Sequence, residues 1–233
     1  METLVTQKVS LVLPSIMIET DPKERIKKAA QDLLMRYSIR SVSMDDIAAS
    51  VGMSKKTLYH YYEDKDELVK SVVDSVIAEN QCSCEGHINA ADNAVHEIFL
   101  AMEMMVEMCK TMNPSVIYEM QKYHPEAYQH FHLHKTQFLL QHIQQNIDRG
   151  IREELYRTDV NGEVLARFRV ESMFIPFNPG FQAHLPNYTL LELEEQILTH
   201  FLFGLVTPKG HKLATKYMAE REKNQKIKNN HSK

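Results

Sequence analysis

Apolar residues recur at helical spacing along most of the chain, and caps, prolines and glycines separate them into helices. The first stretch begins at Asp21-Pro22, a cap followed by a first-turn proline, and its apolar positions run from Ile26 to Tyr37. Glycine is scarce, and no alternating valine or isoleucine runs predict strands. The pattern therefore predicts an all-α fold.

A tight pair of short helices follows the first one. Ser43 can cap a helix whose third residue is Asp46, and Gly52 is its predicted stop, because only glycine turns left-handed there without steric cost. Ser54 caps a second helix, and Asp64 caps a third. Two short helices joined by a glycine turn describe a helix-turn-helix, whose second helix can lie in a DNA major groove.

Side chains in this motif divide into an inner and an outer set. Leu58 and one of Tyr61 or Tyr62 are expected to face the core. The side chains expected to point outward are those of Ser54, Lys55, Lys56, Thr57, Tyr59 and His60. Hydroxyls and lysines near a helix N-terminus suit DNA phosphates. Lys65, in the first turn of the next helix, is expected to contact a phosphate for the same reason. The alternative is a solvated lysine pair on a structural helix.

The rest of the chain reads as a helical bundle. Helices are predicted over residues 64–80, 90–112, 114–123, 125–149, 159–174, 190–206 and 208–219. The pattern breaks around residues 81–89, where a domain boundary is expected, and proline-rich residues 175–189 predict a long surface loop.

Four segments are predicted in all. Residues 1–20 form an N-terminal extension, of which the first 16 are expected to be dispensable. The other three are a helix-turn-helix domain over residues 21–68, a ligand-binding and dimerisation body over residues 69–220, and a frayed basic tail over residues 221–233.

The helix over residues 90–112 is apolar around most of its circumference, which places it inside a bundle. Six methionines lie between positions 102 and 120, and they could line a ligand cavity or simply pack a core. The candidate lining residues are Met105, Met108, Met112, Tyr118, Met120, Phe138 and His142. The mix is consistent with a small hydrophobic effector or with a plain core.

Composition narrows the functional classes. The net charge of −4 over 233 residues means that any DNA affinity comes from a local patch. Three cysteines cannot form a disulfide framework and fit a reducing cytoplasm, the expected location. No stretch of about 20 apolar residues exists, so no membrane segment is predicted.

Catalytic patterns are absent from the sequence. His96-Glu97 begins a zinc-protease pattern, but Leu100 stands where its second histidine would be. No nucleophile elbow, phosphate loop or dinucleotide fingerprint appears. We therefore predict a protein that is not an enzyme and that carries no cofactor.

The motif and the candidate cavity favour a DNA-binding regulator with an organic effector. Two alternatives to this interpretation remain open. The first is a metal- or redox-responsive regulator, for which the candidate side chains are His124, His130, His132, His134, His142, Cys82 and Cys84. Histidines at helical spacing are usually surface or core residues, so no metal site is assigned. The second is a helical interaction module without DNA binding, against which the lysine and hydroxyl chemistry of residues 54–57 argues.

The motif resembles a known family. Asp45-Asp46-Ile47-Ala48, followed by Gly52-Met53-Ser54-Lys55-Lys56-Thr57-Leu58-Tyr59-His60-Tyr61-Tyr62, is similar to the signature of the TetR family of bacterial transcription regulators. The resemblance covers roughly residues 23–70. It implies an all-α homodimer with three N-terminal DNA-binding helices and a body that binds a small effector. By the same resemblance, helices 159–174 and 190–206 would form the dimer interface.

The resemblance also implies roles for single residues. Base reading would fall on Lys55, Lys56 and Thr57, and phosphate contacts on Ser43, Ser54, Tyr59, His60 and Lys65. Lys56 stands where the family often has glycine, and Tyr62 where a phenylalanine is usual. The implied function is a repressor that binds a palindromic operator in double-stranded DNA, with recognition helices about 34–36 Å apart, and that a small-molecule effector releases.

Overall fold

The computed structural model describes the backbone of residues 21–231 and the side chains of residues 21–224. The predicted N-terminal extension, residues 1–20, lies outside the described residues. The helices are α1 (Pro22–Tyr37), α2 (Met44–Ser50), α3 (Lys55–Tyr61), α4 (Lys65–Ala90), α5 (Ala94–Cys109), α6 (Val116–Tyr123), α7 (Pro125–Leu133), α8 (Leu140–Arg152), α9 (Gly162–Ser172), α10 (Pro179–Ala183), α11 (Leu190–Leu205) and α12 (Pro208–His231).

The predicted all-α fold is confirmed. Between residues 21 and 231 the only β-type pairing is an isolated antiparallel bridge between Tyr156 and Val206. A π-helical stretch, His134–Leu139, joins α7 to α8, and a 3-10 turn, Ile175–Phe177, follows α9. Within the described helices, none combines the length and the apolar run needed to cross a bilayer.

The N-terminal helices share one apolar core with part of the body. Ile26, Leu34, Ile47, Leu58 and Leu68 are at most 1% exposed and hold α1 to α4 together. Burial of each such side chain is worth about 1.5 to 3 kcal/mol. α6 and α7 add further side chains to this same core. A displacement of α6 or α7 therefore changes the packing beneath the helix-turn-helix, because protein cores are close-packed.

The break expected at residues 81–89 is wrong, because α4 is one unbroken helix of 26 residues. Ile77, Asn80 and Cys84 continue its inner stripe at helical spacing, and all three face the interior of the body. Gly86 is exposed inside the helix, where glycine is tolerated at a cost of up to about 1 kcal/mol. Packing along the inner stripe thus overrides the weak local propensity.

Other boundaries also differ from the expected ones. The predicted loop over residues 175–189 contains the 3-10 turn and α10, and Phe177 in it is only 5% exposed. The final helix continues to His231 instead of ending near residue 219, so the backbone that was expected to fray from residue 221 is helical.

The rest of the body packs around a second core contributed by α5, α8, α9, α11 and α12. Tyr156 is fully buried there, with its hydroxyl 3.0 Å from the Ala94 carbonyl oxygen and 3.1 Å from Asn146 Oδ1. Gly150 makes room for the Tyr156 ring, because a Cβ at position 150 would lie 2.0 Å from Cδ2 of that ring. The helix predicted to end at residue 149 thus continues through Gly150, which admits the Tyr156 ring.

Candidate functional site

Local hydrogen bonds fix the geometry of α2, the turn and α3. Ser43 Oγ accepts from the Asp46 N–H at 3.2 Å, and Asp46 Oδ2 accepts from the Ser43 N–H at 2.8 Å. The hydrogen bonds from Ser43 lower the pKa of Asp46. Gly52 follows with φ +68°, the left-handed conformation that ends α2. Ser54 then caps α3 by accepting from the Thr57 N–H at 3.1 Å. All three predicted features of the motif are confirmed.

Two side chains anchor α3 to its support. Leu58 is fully buried and Tyr62 is 1% exposed, so Tyr62 rather than Tyr61 is the buried tyrosine. The Tyr62 hydroxyl lies 3.4 Å from the Lys23 carbonyl oxygen and 3.4 Å from Ser71 Oγ. Burial raises the pKa of Tyr62. The Tyr62 hydroxyl therefore has polar neighbours.

The opposite face of α3 is open to solvent. Exposed side chains cover it: Ser54, Lys55, Lys56, Thr57, Tyr59 and His60. Lys55 Nζ pairs with Asp45 Oδ1 at 2.8 Å, and this hydrogen bond raises the pKa of Lys55. An ion pair between two exposed side chains contributes little, so the Lys55 ammonium can exchange it for a phosphate. The predicted outward set is thus placed on one surface at the tip of the N-terminal domain.

Lys65 is held differently from the other lysines of the motif. Its ammonium donates to the carbonyl oxygens of Ile39 and Val42, in the connection between α1 and α2. Burial lowers the pKa of Lys65. Two of its three N–H donors are thereby used, and the third remains for a phosphate. The predicted phosphate contact of Lys65 stays a prediction, while its bracing of the connection was missed.

Polar contacts join the body to the N-terminal helices. His124 Nδ1 lies 2.5 Å from Asp66 Oδ1, and His130 Nδ1 lies 2.5 Å from Asp74 Oδ1, so the junction between α6 and α7 and α7 itself are each tied to α4. Glu119 Oε2 on α6 accepts from the Arg40 N–H at 2.8 Å. These contacts and the shared core connect any change in α6 or α7 to the DNA-binding helices.

The histidines and cysteines considered for metal binding are dispersed. His124 and His130 have carboxylate partners, His132 is exposed, and Cys82 is exposed while Cys84 is buried. Burial raises the pKa of Cys84 to about 11. Among the residues that the structure describes, no three or more His, Cys, Asp or Glu side chains are arranged to hold a metal ion.

A cavity of about 230 Å³ lies inside the body, between α4, α5, α6, α8, α9 and α11. Five of the seven predicted lining residues line it: Met105, Met108, Met112, Met120 and His142. Tyr118 does not, because it lies two residues from Met120 on the other side of α6 and is 44% exposed. Phe138 does not either. Its ring stacks between those of His134 and His142, at centroid distances of 5.3 and 6.0 Å, behind the wall.

Polar lining residues were missed by the sequence reasoning. They are Asn80, Glu97, His134, Asn146, Arg169 and Glu194. The signal for two of them is visible in the sequence. Glu97 and Glu194 are carboxylates at positions that the helical period assigns to the apolar sides of α5 and α11.

One polar group in the wall is satisfied by its own neighbours. Glu97 Oε2 accepts from Arg149 Nη1 at 3.1 Å, and Glu97 Oε1 lies 3.7 Å from His142 Nε2. Arg149 also donates to Glu153 and to the Ala91 carbonyl oxygen. Burial lowers the pKa of His142. This cluster stabilises the packing of α5 against α8.

A second polar group in the wall is not satisfied. Arg169 on α9 is 6% exposed and Glu194 on α11 is 2% exposed. Arg169 Nη1 and Glu194 Oε1 are buried without a hydrogen-bond partner. Burial lowers the pKa of Arg169 to about 10 and raises the pKa of Glu194 to about 7.

The two helices assigned to dimerisation differ in what they expose: α9 exposes apolar side chains and α11 exposes a glycine. Val164 and Phe168 on α9 are 59% and 49% exposed. On α11, Gly204 is exposed, and a Cβ built there would meet no atom within 4 Å.

Comparison with known proteins agrees with the motif. Residues 26–72 match the family model described as "Bacterial regulatory proteins, tetR family". The uncharacterized HTH-type transcriptional regulator YvaF of Bacillus subtilis (strain 168) is 35% identical over 89 residues, which cover 38% of this chain and 47% of that protein. The match thus spans about half the length of that relative.

Solved structures resemble most of the described fold. A TetR-family transcriptional regulator from Agrobacterium tumefaciens matches with a TM-score of 0.66 at 14% identity, covering 79% of this chain and 97% of that one. SmeT, the repressor of the Stenotrophomonas maltophilia multidrug efflux pump SmeDEF, matches with a TM-score of 0.60 at 16% identity, covering 81% and 92%. At these identities the similarity shows the fold alone.

Proposed function

We propose that this chain is a member of the TetR family and a repressor that binds a palindromic operator in double-stranded DNA as a homodimer. A small hydrophobic effector in the internal cavity would release it from the operator. The observation that carries the proposal is the exposed set of lysines and hydroxyls on a rigidly capped α3. Because the proposed partner is chromosomal DNA, we expect the protein to act in the cytoplasm.

The chemistry of α3 supports DNA binding. Ser54, Lys55, Lys56 and Thr57 lie at the helix N-terminus, where backbone N–H groups already favour phosphate. Lys56 extends into solvent, and the Lys55 ion pair is exposed and easily exchanged. The reading side chains are thus available on a helix that Leu58 and Tyr62 hold in place.

The outer faces of α9 and α11 support a homodimer. Val164 and Phe168 leave apolar surface in water, and Gly204 permits close approach of a second helix. A two-fold axis through this surface would present α3 twice, as a palindromic site requires.

The position of the cavity supports release by an effector. Leu34, Val69 and Met120 line the cavity and also belong to the core that holds α1 to α4. A ligand that binds better to one spacing of the two DNA-binding heads shifts the population toward it, and only such differential affinity can do so. A ligand in this cavity contacts both the body and the support of α3.

Substitution of single lysines tests the DNA-binding surface. Lys56→Ala and Lys55→Ala should each weaken binding to DNA taken from beside the chain's own gene. A lysine that contacts a phosphate contributes about one unit to the slope of log K against log salt, whereas loss of a lysine that reads a base weakens binding to this DNA more than to unrelated DNA. The measurement is a gel-shift titration at several salt concentrations. Circular dichroism should show that each variant stays folded.

Lys212→Ala is the matched control, because Lys212 is an exposed lysine on α12, in the body. It removes the same charge and should leave binding unchanged. Equal binding by wild type, Lys55→Ala and Lys56→Ala would contradict the proposed surface.

A further inference from the structure

The cavity wall holds two charged side chains that each keep one polar atom without a hydrogen-bond partner in the protein. Arg169 Nη1 on α9 and Glu194 Oε1 on α11 are both buried without a hydrogen bond, and both residues line the cavity. A buried donor or acceptor without a partner is costly, and for a charged group the cost is larger. Such groups in an internal cavity therefore indicate that a bound molecule supplies the missing partners.

The two side chains differ in what they can accommodate. A guanidinium cannot lose its proton under ordinary conditions, and its planar fork matches a carboxylate. A carboxyl group can instead take up a proton, and burial raises the pKa of Glu194 to about 7. An anion beside Arg169 is thus compatible with a protonated Glu194, which offers a donor. A cationic ligand would meet the permanent charge of Arg169.

The remainder of the wall is apolar. Met105, Met108, Phe174, Phe177 and Leu198 line the same cavity as the two charged residues. The volume of about 230 Å³ lies below the 300 to 1,000 Å³ that is usual for sites of drug-sized ligands. The space therefore fits a small molecule with a hydrophobic body and one polar head.

We propose that the effector is a small hydrophobic carboxylic acid whose carboxylate binds the Arg169 guanidinium while its apolar part contacts the methionine-lined wall. This rests on the proposed function in that it specifies the effector of the same cavity. Glu194 adds a hydrogen-bond donor at the head group in its protonated form. The Glu97–Arg149 pair is already satisfied and takes no part in head-group recognition.

Three probes that differ only in their head group test the proposal: octanoate, octan-1-ol and octylamine. Each is titrated into the full chain at pH 7 by isothermal titration calorimetry, without DNA. Octanoate should bind at least about tenfold more tightly than octan-1-ol, because a charge-assisted hydrogen bond is stronger than a neutral one. Octylamine should bind most weakly.

Substitutions assign the preference to the arginine. Arg169→Met should weaken octanoate binding by at least about tenfold and leave octan-1-ol within about threefold of wild type. Arg152→Met removes an exposed arginine of α8 outside the cavity wall and should change neither. Arg169→Lys keeps the charge without the fork, and it should retain part of the octanoate preference even if the methionine variant fails to fold.

Equal affinity of wild type for octanoate and octan-1-ol, or no binding of octanoate, would overturn the proposal. Retention of the octanoate preference by a folded Arg169→Met would overturn it as well. These titrations contain no DNA, so their failure leaves operator binding and release to be judged separately. Conversely, a chain that binds octanoate through Arg169 but no DNA would contradict only the proposed function.

Discussion

A single carboxyl group on α11 links the stability of the body to pH. Glu194 is 2% exposed, and burial raises its pKa from 4.5 to about 7, although nearby Arg169 acts in the opposite direction. The folded state therefore holds this proton at pH values where the unfolded chain has lost it. Stability from this group is complete below about pH 4.5 and is lost as pH rises through about 7.

Glu194→Gln should remove this dependence. Wild type should lose about 2 kcal/mol of unfolding free energy between pH 5 and pH 8 that the glutamine variant keeps, because an amide cannot ionise. Urea unfolding at the two pH values measures the difference. All other titratable groups are the same in the two proteins, so subtraction isolates Glu194. A parallel loss in both proteins would show that the carboxyl is not protonated in the folded state.

For single residues, the sequence predicts roles within a local motif better than it predicts contacts between residues far apart in the chain. The caps Ser43 and Ser54 and the buried Leu58 follow from spacing within one motif. The carbonyl partners of Lys65 lie more than 20 residues away along the chain, and Arg169 and Glu194 line one cavity from separate helices. Such pairings depend on how helices pack, which no local pattern contains.

Helices whose ends are set by caps were predicted well, whereas helices whose continuity depends on packing were not. The predicted end of α4 near residue 80 rested on a run of polar and small residues, yet Cys84 is 4% exposed and packs inward. The predicted helix over residues 125–149 is continuous but contains a π-helical stretch that shifts its register. That shift helps to explain why Phe138 lies behind the cavity wall.

Two glycines in these elements should respond oppositely to alanine. Gly86→Ala should raise the unfolding free energy by about 0.5 to 1 kcal/mol, because position 86 is an exposed helix interior with no atom within 4 Å of the new Cβ. Gly52→Ala should lower it by about 1 to 2 kcal/mol, because φ is +68° and an L-residue is strained there. Denaturant unfolding of both variants measures the two effects.

Neither new Cβ makes a contact, so the pair isolates backbone conformation from packing. A loss of stability in Gly86→Ala would mean that α4 bends or frays near residue 86. Gly52→Ala with unchanged stability would mean that the turn before α3 does not need a left-handed residue.

On the scale of the whole molecule, the cavity and the DNA-binding helices share side chains and are not separate parts. Val69 and Val72 on α4 line the cavity and belong to the core beneath α3. The sequence predicted a methionine-rich pocket, but its position against α1 and α4 follows from the path of an unbroken α4. The contacts of α7 with Asp66 and Asp74 add polar links along the same helix.

The last prediction concerns the proposed homodimer. Phe168 is 49% exposed on α9, one of the two helices assigned to the dimer interface. Phe168→Arg should raise the dimer dissociation constant at least about a hundredfold, because a two-fold interface receives the buried charge twice. Operator affinity should fall with it, since one head contacts only half of a palindromic site. Sedimentation velocity and gel shift on the same sample measure both effects.

Leu133→Arg on α7 is the control, because Leu133 is 43% exposed and lies outside α9 and α11. It should leave the dimer dissociation constant and the operator affinity unchanged. A Phe168→Arg protein that remains dimeric would move the interface away from α9.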